Sequence, residues 1–417
     1  MNILVVGGGG REHAICLALK SSPRVTKLYC APGNGGISQI AECLPIMAVD
    51  VEGVTRFALE NAIDYVVVAS DDPLAAGMTD VLEDAGLRVF GPRRNAAEIE
   101  SSKVFAKRLM KKYGIPTARY ETFSLPEEAI AYIGRTGAPI VVKADGLALG
   151  KGAVVAETED DARAAVRMMM EDMKFGDSGA RVVIEEYMEG RELTILAFTD
   201  GKTVVPMLSS HDHKRVFDGD RGPNTGGMGA VCPSPRSSPE LERLCMDTIF
   251  VPTVEALRAE GRVFKGVLYF ELMLTPSGPK VIEYNARFGD PEAQAVLPLL
   301  ETDLLDIMES VTDERLAEVD IRWKPGASCV VVMASGGYPV EYEKGKKIEG
   351  LDSLPPGIAV YHAGTKYKDG AFYTNGGRVL GVTATDITLG GAIENAYAGV
   401  RGIAWDGAHY RTDIGRI

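Results

Sequence analysis

The sequence predicts a protein of several domains that combines α/β with α+β architecture, and three observations carry this prediction. The chain has 417 residues, a length that suggests about two to four domains. Over about the first 100 residues, apolar strand patterns alternate with helical patterns, as they do in an open parallel sheet. The middle of the chain instead holds strand patterns joined by short turn signals, which indicate antiparallel pairs.

The N-terminal region, residues 1–100, contains the parallel-sheet pattern. Its first strand, in NILVVGGGG, runs into a glycine turn, and REHAICLALKSS continues with apolar residues at helical spacing. Further strands are expected in VTKLYCAPG, DYVVVAS and GLRVFGP. These patterns together predict a Rossmann-like open parallel sheet.

Two further regions follow. Residues 101–322 open with the basic amphipathic helix SSKVFAKRLMKKYG and include the hairpin GVLYFELMLTPSGPKVIEYN, so this region is predicted to be α+β. Residues 323–417 combine strands with one helix, ITLGGAIENAYAGVRGI, and are predicted to form a small mixed α/β domain. The segment DIRWKPGA, residues 320–327, is the expected linker.

Charge and composition limit the possible partners and locations. The formal net charge of −13 argues against nucleic acids and anionic membranes, which bind basic surfaces. The six cysteines form no Cys-x-x-Cys pair and no disulfide framework, which fits a reducing compartment. No signal-peptide pattern and no apolar stretch of membrane-spanning length occurs. We therefore expect a soluble cytoplasmic protein.

The glycine turn VVGGGGREH invites a dinucleotide-binding interpretation. Counting Gly7 and Gly9 as the first two glycines of the fingerprint, the third position falls at Glu12. The next strand ends in YCAPGN and supplies no acidic residue for a ribose. These departures argue against NAD(P). A phosphate or another anion at the helix N-terminus stays open, as does a turn that only packs helix against sheet.

The stretch KADGLALGKG resembles a P-loop only superficially. Three residues separate Gly146 from Gly150, Gly152 replaces the usual Ser/Thr, and a strand follows instead of a helix. A glycine-rich loop between strands can still cover phosphates with its backbone amides, and Lys143 and Lys151 would add positive charge. The sequence alone also allows a mobile surface hairpin with a solvated lysine.

The strand VIEYNAR carries three functional side chains at a spacing of two, so Glu283, Asn285 and Arg287 share one face. Glu271 lies twelve residues upstream, on the opposing arm of the predicted hairpin. Carboxylate and amide oxygens suit Mg²⁺ held against phosphates. A structural Glu283–Arg287 ion pair is the alternative, and the lysine-containing loop upstream favours Mg²⁺–ATP.

Six motifs of this chain occur in the same order in a known family: GGREHA, APGN, KADGLALGKG, DHKRV, GPNTGGMGA and RFGDPE. With the C-terminal HAGT and GGRVLGVTA they span the whole sequence. The chain thus resembles the ATP-grasp superfamily and, within it, the glycinamide ribonucleotide synthetases, also called phosphoribosylamine–glycine ligases.

The resemblance implies ATP-dependent ligation of glycine to 5-phosphoribosylamine in de novo purine biosynthesis. The products would be glycinamide ribonucleotide, ADP and phosphate, formed through a glycyl phosphate. It also implies a central ATP-grasp domain over 101–322 with a mobile lid at about 120–190, Mg²⁺ or Mn²⁺ as the metal, and a monomer. The alternatives are a sister ATP-grasp ligase with another substrate pair, a nicotinamide-dependent oxidoreductase, and a nucleotide-binding sensor without turnover.

The resemblance further implies roles for particular residues. The implied ATP-binding residues are Lys103, Lys143, Gly146, Gly150, Lys151, Gly152, Glu185, Glu186, Tyr187 and Glu192. The implied metal ligands are Glu283, Asn285 and Glu271. The implied substrate-binding residues are Gly8, Gly9, Arg11, Glu12, Pro73, Leu74, Asp212, His213, Lys214, Arg215, Asn224, Thr225, Gly226, Gly227, Arg287, Gly289, Asp290, Pro291 and Glu292. The implied catalytic residues are Arg287, Lys143, Asp212 and Lys214.

The chain departs from the family pattern at two places. Ala69 and Ser70 stand where the family tends to carry Gly-Pro, and Glu271 stands where a small residue is usual. Other ATP-grasp enzymes place a metal carboxylate at about this distance before the Glu-x-Asn pair. Glu271 is therefore expected either to bind the metal or to point to the other face and pair with a lysine or arginine.

Overall fold

The N-terminal region forms a five-stranded parallel sheet with helices, which confirms the predicted open sheet. The computed structural model describes residues 1–148 and 152–416. The elements of this region are β1 (Asn2–Gly7), α1 (Gly10–Lys20), β2 (Lys27–Pro32), β3 (Glu42–Cys43), α2 (Val51–Glu60), β4 (Tyr65–Val68), α3 (Asp71–Ala75), α4 (Met78–Asp84), β5 (Val89–Phe90) and α5 (Arg94–Ser101). The strand order is β3-β2-β1-β4-β5, with all neighbouring strands parallel.

The local sequence explains how this sheet presents its glycine turn. Residues 3–6 of β1 have no exposed surface, because helices cover both faces of a parallel sheet and the strand is apolar throughout. Helix α1 then begins after Gly9, whose backbone N–H donates to the carboxylate of Glu12 at 2.6 Å. The turn lies at the carboxyl edge of the sheet, where ligands of such folds bind.

The middle region contains two four-stranded antiparallel sheets and the two-stranded antiparallel sheet β13-β14. Its elements are α6 (Lys103–Tyr113), β6 (Tyr120–Phe123), α7 (Pro126–Thr136), β7 (Ile140–Ala144), β8 (Ala153–Ala156), α8 (Glu159–Met170), β9 (Val182–Glu186), β10 (Arg191–Thr199), β11 (Val204–Pro206), β12 (His211–Asp212), β13 (Arg215–Phe217), β14 (Arg221–Asn224), β15 (Gly229–Cys232), α9 (Pro239–Cys245), α10 (Val251–Ala259), β16 (Gly266–Thr275), β17 (Gly278–Asn285), α11 (Glu292–Val296) and α12 (Leu304–Thr312). A π-helical turn, Met246–Phe250, joins α9 to α10.

One of these sheets, in the order β6-β9-β7-β8, packs its apolar face against α7 and α8. We call this four-stranded sheet the lid sheet, because it falls within the predicted lid at about 120–190. The other four-stranded sheet has the order β11-β10-β16-β17 and contains the predicted hairpin, whose turn lies between Thr275 and Gly278. In that hairpin Glu271 is the register partner of Glu283, so both side chains start from the same face.

The C-terminal region has an antiparallel sheet that recruits strands from the middle region. Its elements are β18 (Ala327–Ser335), β19 (Lys347–Ile348), β20 (Ile358–His362), β21 (Thr365–Lys368), β22 (Ala371–Thr374), β23 (Arg378–Asp386), α13 (Leu389–Gly402) and β24 (Ala408–His409). The main sheet has the order β12-β15-β18-β23-β20, with β24 also on β18, and a smaller sheet has the order β19-β22-β21. The pairing of β15 with β18 crosses the expected linker at 320–327, so the proposed domain bounds do not coincide with separate sheets.

Within residues 1–148 and 152–416, no helix is both long enough and apolar enough to cross a membrane.

Candidate active site

Two buried lysines and one buried glutamate meet where the lid sheet reaches helix α6. Oε2 of Glu185, on β9, lies 3.1 Å from Nζ of Lys107 and 3.1 Å from Nζ of Lys143. All three side chains are at most 5% exposed. Nζ of Lys143 also donates to the carbonyl of Ile282 on β17 at 3.2 Å. We call Lys107, Lys143 and Glu185 the lysine–glutamate cluster, and it ties the lid sheet to the strand that carries Glu283.

The other oxygen of Glu185 has a different environment. Oε1 is buried and has no hydrogen-bond partner among the described residues. A buried acceptor without a donor is costly in a folded protein, which suggests that a ligand supplies the donor. The amino group of a nucleobase is a donor of this kind.

Lys103 lies at the start of α6 and faces the glycine-rich loop. Its Nζ donates to the carbonyl of Gly146 at 3.2 Å, and its backbone N–H donates to the carbonyl of Asp145 at 3.0 Å. The carbonyl of Gly152 accepts from Ala144, which closes the base of the loop. The predicted loop residues Gly150 and Lys151 lie outside the described residues.

Glu283 faces a group of positive charges and has no direct partner among the described residues. Neither of its carboxylate oxygens accepts a hydrogen bond or forms an ion pair within residues 1–148 and 152–416. Burial raises the pKa of Glu283, but nearby cations outweigh this effect and hold the pKa below its ordinary value. These cations are Lys103, Lys143, Lys214 and Arg287.

Arg287 does not form the ion pair with Glu283 that the sequence left open as an alternative. Its Nη2 lies 2.9 Å from Oε1 of Glu100 and 4.0 Å from Oδ2 of Asp71, and it donates to Oδ1 of Asn285 at 3.2 Å. Nε of Arg287 is buried without a described partner. Burial lowers the pKa of Arg287, but the carboxylates of Glu100 and Asp71 raise it above its ordinary value. The guanidinium is therefore charged and fixed beside Asn285, and its Nε–H can donate to a ligand.

Glu271 occupies an intermediate position between its two expected alternatives. It starts from the same face of the hairpin as Glu283, as a metal ligand would require. Its Oε1, however, forms an ion pair with Nζ of Lys214, another predicted site residue. Burial lowers the pKa of Lys214, but surrounding carboxylates, among them Glu192 and Glu283, raise it above its ordinary value. Glu271 thus holds a site lysine, and its second oxygen takes part in no described hydrogen bond.

A second group of carboxylates lies on the far side of Lys214. Asp212 is 8% exposed, and its Oδ1 is buried without a described partner. Burial, and then the charge of Glu292, raise the pKa of Asp212 well above its ordinary value. Glu292 accepts a hydrogen bond from the hydroxyl of Tyr269 at 2.9 Å. A donor group of a substrate, such as an amine, would satisfy Oδ1 of Asp212.

Gly227 shows how closely the GPNTGGMG segment approaches this group. Its φ of +112° lies in the region that favours glycine. A Cβ added there would lie 2.4 Å from Cδ of Pro291 and 2.7 Å from Oδ1 of Asp212. Only glycine lets the two segments meet at this distance.

A cleft of about 320 Å³ opens between the N-terminal and C-terminal regions. It is lined by Gly8, Gly9, Gly33, Asn34, Asp290, Tyr338, Ala363, Gly364, Thr365, Asn375 and Arg378. Nη1 of Arg378 donates to the carbonyls of Gly226 and Asp290, both at 2.6 Å. The guanidinium therefore joins the C-terminal region to the two predicted substrate-binding segments.

An anion site at the glycine turn was one interpretation of the sequence. In the structure, side chains of the protein already bind amides of this turn. Gly9 N–H donates to Glu12, and Arg11 N–H lies 3.3 Å from Oδ2 of Asp290. Carboxylates thus accept from two amides at the start of α1. The arginine side chain of Arg11 pairs with Glu12 and donates to the carbonyl of Phe288 at 3.2 Å. Asp290 at this edge suits sugar hydroxyl groups better than phosphate oxygens.

Several residues that were predicted to bind substrate make contacts within the protein. Leu74 is 1% exposed, and its side chain packs in the apolar core. Pro73 precedes it in α3 and is also buried. His213 uses both ring nitrogens, with the carbonyl of Gly229 at 3.3 Å and the N–H of Gly415 at 3.2 Å. Arg215 donates to the carbonyl of Gly222 within the β13–β14 hairpin.

The remaining predicted residues lie on or next to β9, β10, β14 and α11. Glu186 pairs with Arg119, and Tyr187 beside it is exposed. The carbonyl of Glu192 accepts from Arg236 at 2.9 Å. The others lie in the segments already described: Asn224 ends β14, Thr225 and Gly226 follow it, and Gly289 precedes α11.

The structure brings to the site three side chains that were not predicted from the sequence. They are Lys107 in the lysine–glutamate cluster, Glu100 beside Arg287, and Arg378 in the cleft. Lys107 sits among four other basic residues of one helix, and only its burial distinguishes it. Arg378 lies in the quoted stretch GGRVLGVTA, but its partners are 88 and 152 residues away.

The lid sheet, the β16–β17 hairpin and the glycine-rich loop between β7 and β8 together define an ATP-grasp fold. The biotin carboxylase domain of a 2-oxoglutarate carboxylase from Hydrogenobacter thermophilus, crystallised with MgADP and bicarbonate, superposes with a TM-score of 0.76. The alignment covers 98% of this chain and 91% of that chain at 16% identity, so this likeness concerns the fold alone.

The family follows from more similar proteins. Models of the phosphoribosylglycinamide synthetase N domain, ATP-grasp (A) domain and C domain match residues 1–100, 101–293 and 328–417. A phosphoribosylamine–glycine ligase of Halalkalibacterium halodurans is 50% identical over 100% of this chain and 96% of that protein. One of Caldanaerobacter subterraneus is 47% identical over 99% of both. The chain belongs to the phosphoribosylglycinamide synthetase family.

A solved structure supports the same family. The crystal structure of a phosphoribosylamine–glycine ligase from Thermotoga maritima superposes with a TM-score of 0.87 at 33% identity. The alignment covers the whole of both chains.

ATP-grasp enzymes use ATP with a divalent metal ion, and the residues present fit both. A small divalent cation is usually held by one or two carboxylates together with substrate phosphates. Glu283 offers two oxygens without a partner among the described residues, and Asn285 offers an amide oxygen on the same strand. No group of three or more His, Cys, Asp or Glu side chains in the described part of the chain is arranged to hold a metal by itself. The surrounding lysines would balance the charge of a triphosphate.

Proposed function

We propose that the protein ligates glycine to 5-phosphoribosylamine with ATP, giving glycinamide ribonucleotide, ADP and phosphate. The observation that carries the proposal is the Glu283 carboxylate, which has no hydrogen-bond partner among the described residues and faces four cations. The full-length match to phosphoribosylamine–glycine ligases supports the substrate pair. This reaction is a step of purine biosynthesis.

The nucleotide would lie between the lid sheet and the β16–β17 hairpin. We assign Lys103 and Lys143 to the phosphates, Glu185 and Glu186 to the base, and Glu192 to the ribose. Gly146, Gly152 and the loop between them would cover the phosphates as the lid closes, with Tyr187 at its edge. Closure would also exclude water, which matters because an acyl phosphate hydrolyses readily.

Mg²⁺, or Mn²⁺ in its place, would be held by Glu283 and Asn285, with the second oxygen of Glu271 as a third ligand. Such an ion neutralises the charge of the phosphates and orients them. Arg287 and Lys214 would add positive charge where the γ-phosphoryl group is transferred. Both are held in place by carboxylates, Arg287 by Glu100 and Lys214 by Glu271.

The chemistry then needs positioning more than covalent help from the protein. The glycine carboxylate attacks the γ-phosphorus of ATP, and ADP leaves. The amine of phosphoribosylamine attacks the carbonyl of the acyl phosphate, phosphate leaves, and the amine proton is lost. We assign Asp212, with its unpartnered oxygen, to an amino group of the substrates, and Glu292 acts beside it. The cleft with Asp290 and Arg378 would hold the phosphoribosyl group.

The decisive experiment is phosphate release from ATP in the presence of glycine and freshly prepared phosphoribosylamine. Release should require all three compounds, and omission of either acceptor should abolish it. Release with another acid or amine at a higher kcat/KM would instead indicate a sister ligase. We further propose a monomeric enzyme of the cytoplasm, which sedimentation and fractionation would test.

A further inference from the structure

Lys107 is a buried cation that none of the proposed substrate contacts uses. It lies in the middle of α6 and is 2% exposed, whereas Arg108 and Lys111 on the same helix are exposed. Its Nζ contacts Oε2 of Glu185 at 3.1 Å and donates to Oγ1 of Thr117 at 2.7 Å. Thr117 in turn donates to the carbonyl of Val281 on β17 at 2.7 Å. One side chain thus links helix α6, the lid sheet and the strand of Glu283.

Stability does not explain why a lysine occupies this position. Burial lowers the pKa of Lys107 to about 8, even though Glu185 lies beside it. The ammonium group is therefore unfavourable here relative to water. Buried ion pairs of this kind are often no more stabilising than apolar residues of similar volume. A role in the position of its neighbours explains the lysine better.

The geometry of Glu185 shows what such a role is. Its Oε2 is shared by Lys107 and Lys143, and Lys143 also bonds the carbonyl of Ile282. Without Lys107, the carboxylate would keep one cationic partner and could rotate towards it. That rotation would move the free Oε1 and draw Lys143 away from the nucleotide.

We propose that Lys107 is a positioning residue, which fixes Glu185 and through it Lys143 for ATP. The inference rests on the proposed function, because it takes the lysine–glutamate cluster to be part of the ATP site. Lys107 itself touches neither the phosphates nor the base.

The test is the affinity for ATP, measured by calorimetry without glycine or phosphoribosylamine. The Lys107→Met variant should bind ATP about tenfold more weakly, as expected when one charge-assisted contact is lost. Its KM for glycine should stay within about twofold of the unchanged protein, since the contacts of Lys107 are with Glu185 and Thr117, which are not assigned to glycine. The matched control is Lys111→Met, an exposed lysine one turn further on, and it should leave the affinity unchanged.

A double-variant cycle separates positioning from a structural role. If Lys107 acts through Glu185, then Glu185→Gln and the double variant Lys107→Met/Glu185→Gln should bind ATP with the same affinity, because neighbouring effects do not add. Additive losses would show that Lys107 acts independently and would overturn the proposal. An ATP affinity of Lys107→Met equal to that of the unchanged protein would also overturn it, whatever the melting temperature.

Two further experimental outcomes can be told apart from a failure of this inference alone. If the unchanged protein binds no ATP, the proposed function fails together with this inference. If Lys107→Met does not fold, Thr117→Val replaces it, since that change removes only one partner of Lys107. Thr117→Val should weaken ATP binding about threefold, and an unchanged affinity would overturn the role of Lys107.

Discussion

The proposed nucleotide end and the proposed phosphoribosyl end of the site are built in different ways. The nucleotide end relies on long charged side chains that project from strands and from one helix, with Lys143, Glu185 and Glu283 at its centre. The phosphoribosyl end relies on turns and backbone groups, with Gly9 and Gly227 at points where chain segments meet. Arg378, a long cation that lines the cleft, is already bonded to backbone carbonyls.

This difference indicates which groups of the protein would bind each substrate. In the proposed site, a triphosphate would be matched by buried lysines that carboxylates and backbone carbonyls hold in place. A phosphoribosyl group is matched by a rigid cleft whose shape depends on three regions of the chain. Changes at the two ends should therefore affect different kinetic constants.

The largest effect should come from the nucleotide end. Glu283→Gln keeps the size of the side chain but removes the charge of the proposed metal ligand, and turnover should fall by roughly 10³-fold or more. Circular dichroism should show an intact fold. Glu121→Gln, an exposed glutamate on β6, is the control and should keep full activity. Near-normal turnover of Glu283→Gln would remove the metal from this strand.

A variant of Arg378 tests the proposed phosphoribosyl end of the site. Arg378→Met should raise the KM for phosphoribosylamine by about tenfold to a hundredfold, because a charged donor is lost from the cleft. The KM for ATP should stay the same. Arg401→Met on the surface of α13 controls for the loss of an arginine. An equal rise in both KM values would show that the two ends are not independent.

Glu271 tests whether the metal reaches across the hairpin. Glu271→Gly should raise the Mg²⁺ concentration for half-maximal rate by about threefold to tenfold, since one of three proposed oxygen ligands is lost. A Mg²⁺ titration of the rate in both proteins measures this shift. Superimposable titration curves would limit Glu271 to its observed contact with Lys214.

The smallest effect concerns the interface beside the phosphoribosyl cleft. Nδ1 of His13 accepts from the backbone N–H of His362 at 2.8 Å. Burial, and then His362, lower the pKa of His13 to about 3, and burial lowers that of His362 to about 4. Both rings are neutral in the folded protein but bind protons below about pH 6.5 when unfolded. Stability is therefore complete above pH 6.5 and is lost as the pH falls towards 4.

We expect the free energy of unfolding to fall by on the order of 1–2 kcal/mol for each of these histidines when the pH is lowered from 7 to 5. Urea unfolding at several pH values measures the slope. His13→Asn should reduce the slope, and the same change at His409, which is only half-buried, is the comparison. A slope unchanged by His13→Asn would place the acid sensitivity elsewhere, for instance at His211 and His213, whose pKa values are also lowered by burial.

The same contrast governs how much could be predicted from the sequence. The parallel sheet and the hairpin follow from local periodicity, and the structure confirms them. The face of the hairpin on which Glu271 lies was left open, and the register places Glu271 opposite Glu283. The ion pair between Glu271 and Lys214 could not be predicted, because it joins segments that are distant along the chain. Lys107 was missed because its neighbours in sequence are equally basic, and only packing determines which lysine is buried.

The phosphoribosyl end was harder to predict for the same physical reason. Gly8, Gly9 and Asp290 were expected from motifs, whereas Arg378, Tyr338 and Asn375 come from the C-terminal region and reach the cleft only through tertiary packing. The roles of all these residues stay predictions until the variants above are measured.

The pairing of β15 with β18 has a consequence for fragments of the chain. A break at residues 320–327 would cut the backbone but leave the hydrogen bonds of Gly229–Cys232 to the strand that begins at Ala327. Two polypeptides, 1–322 and 323–417, should therefore recognise each other through an exposed strand edge when they are produced together. Because Asp212 lies on β12, at the end of the same sheet, activity should return only upon that reassembly.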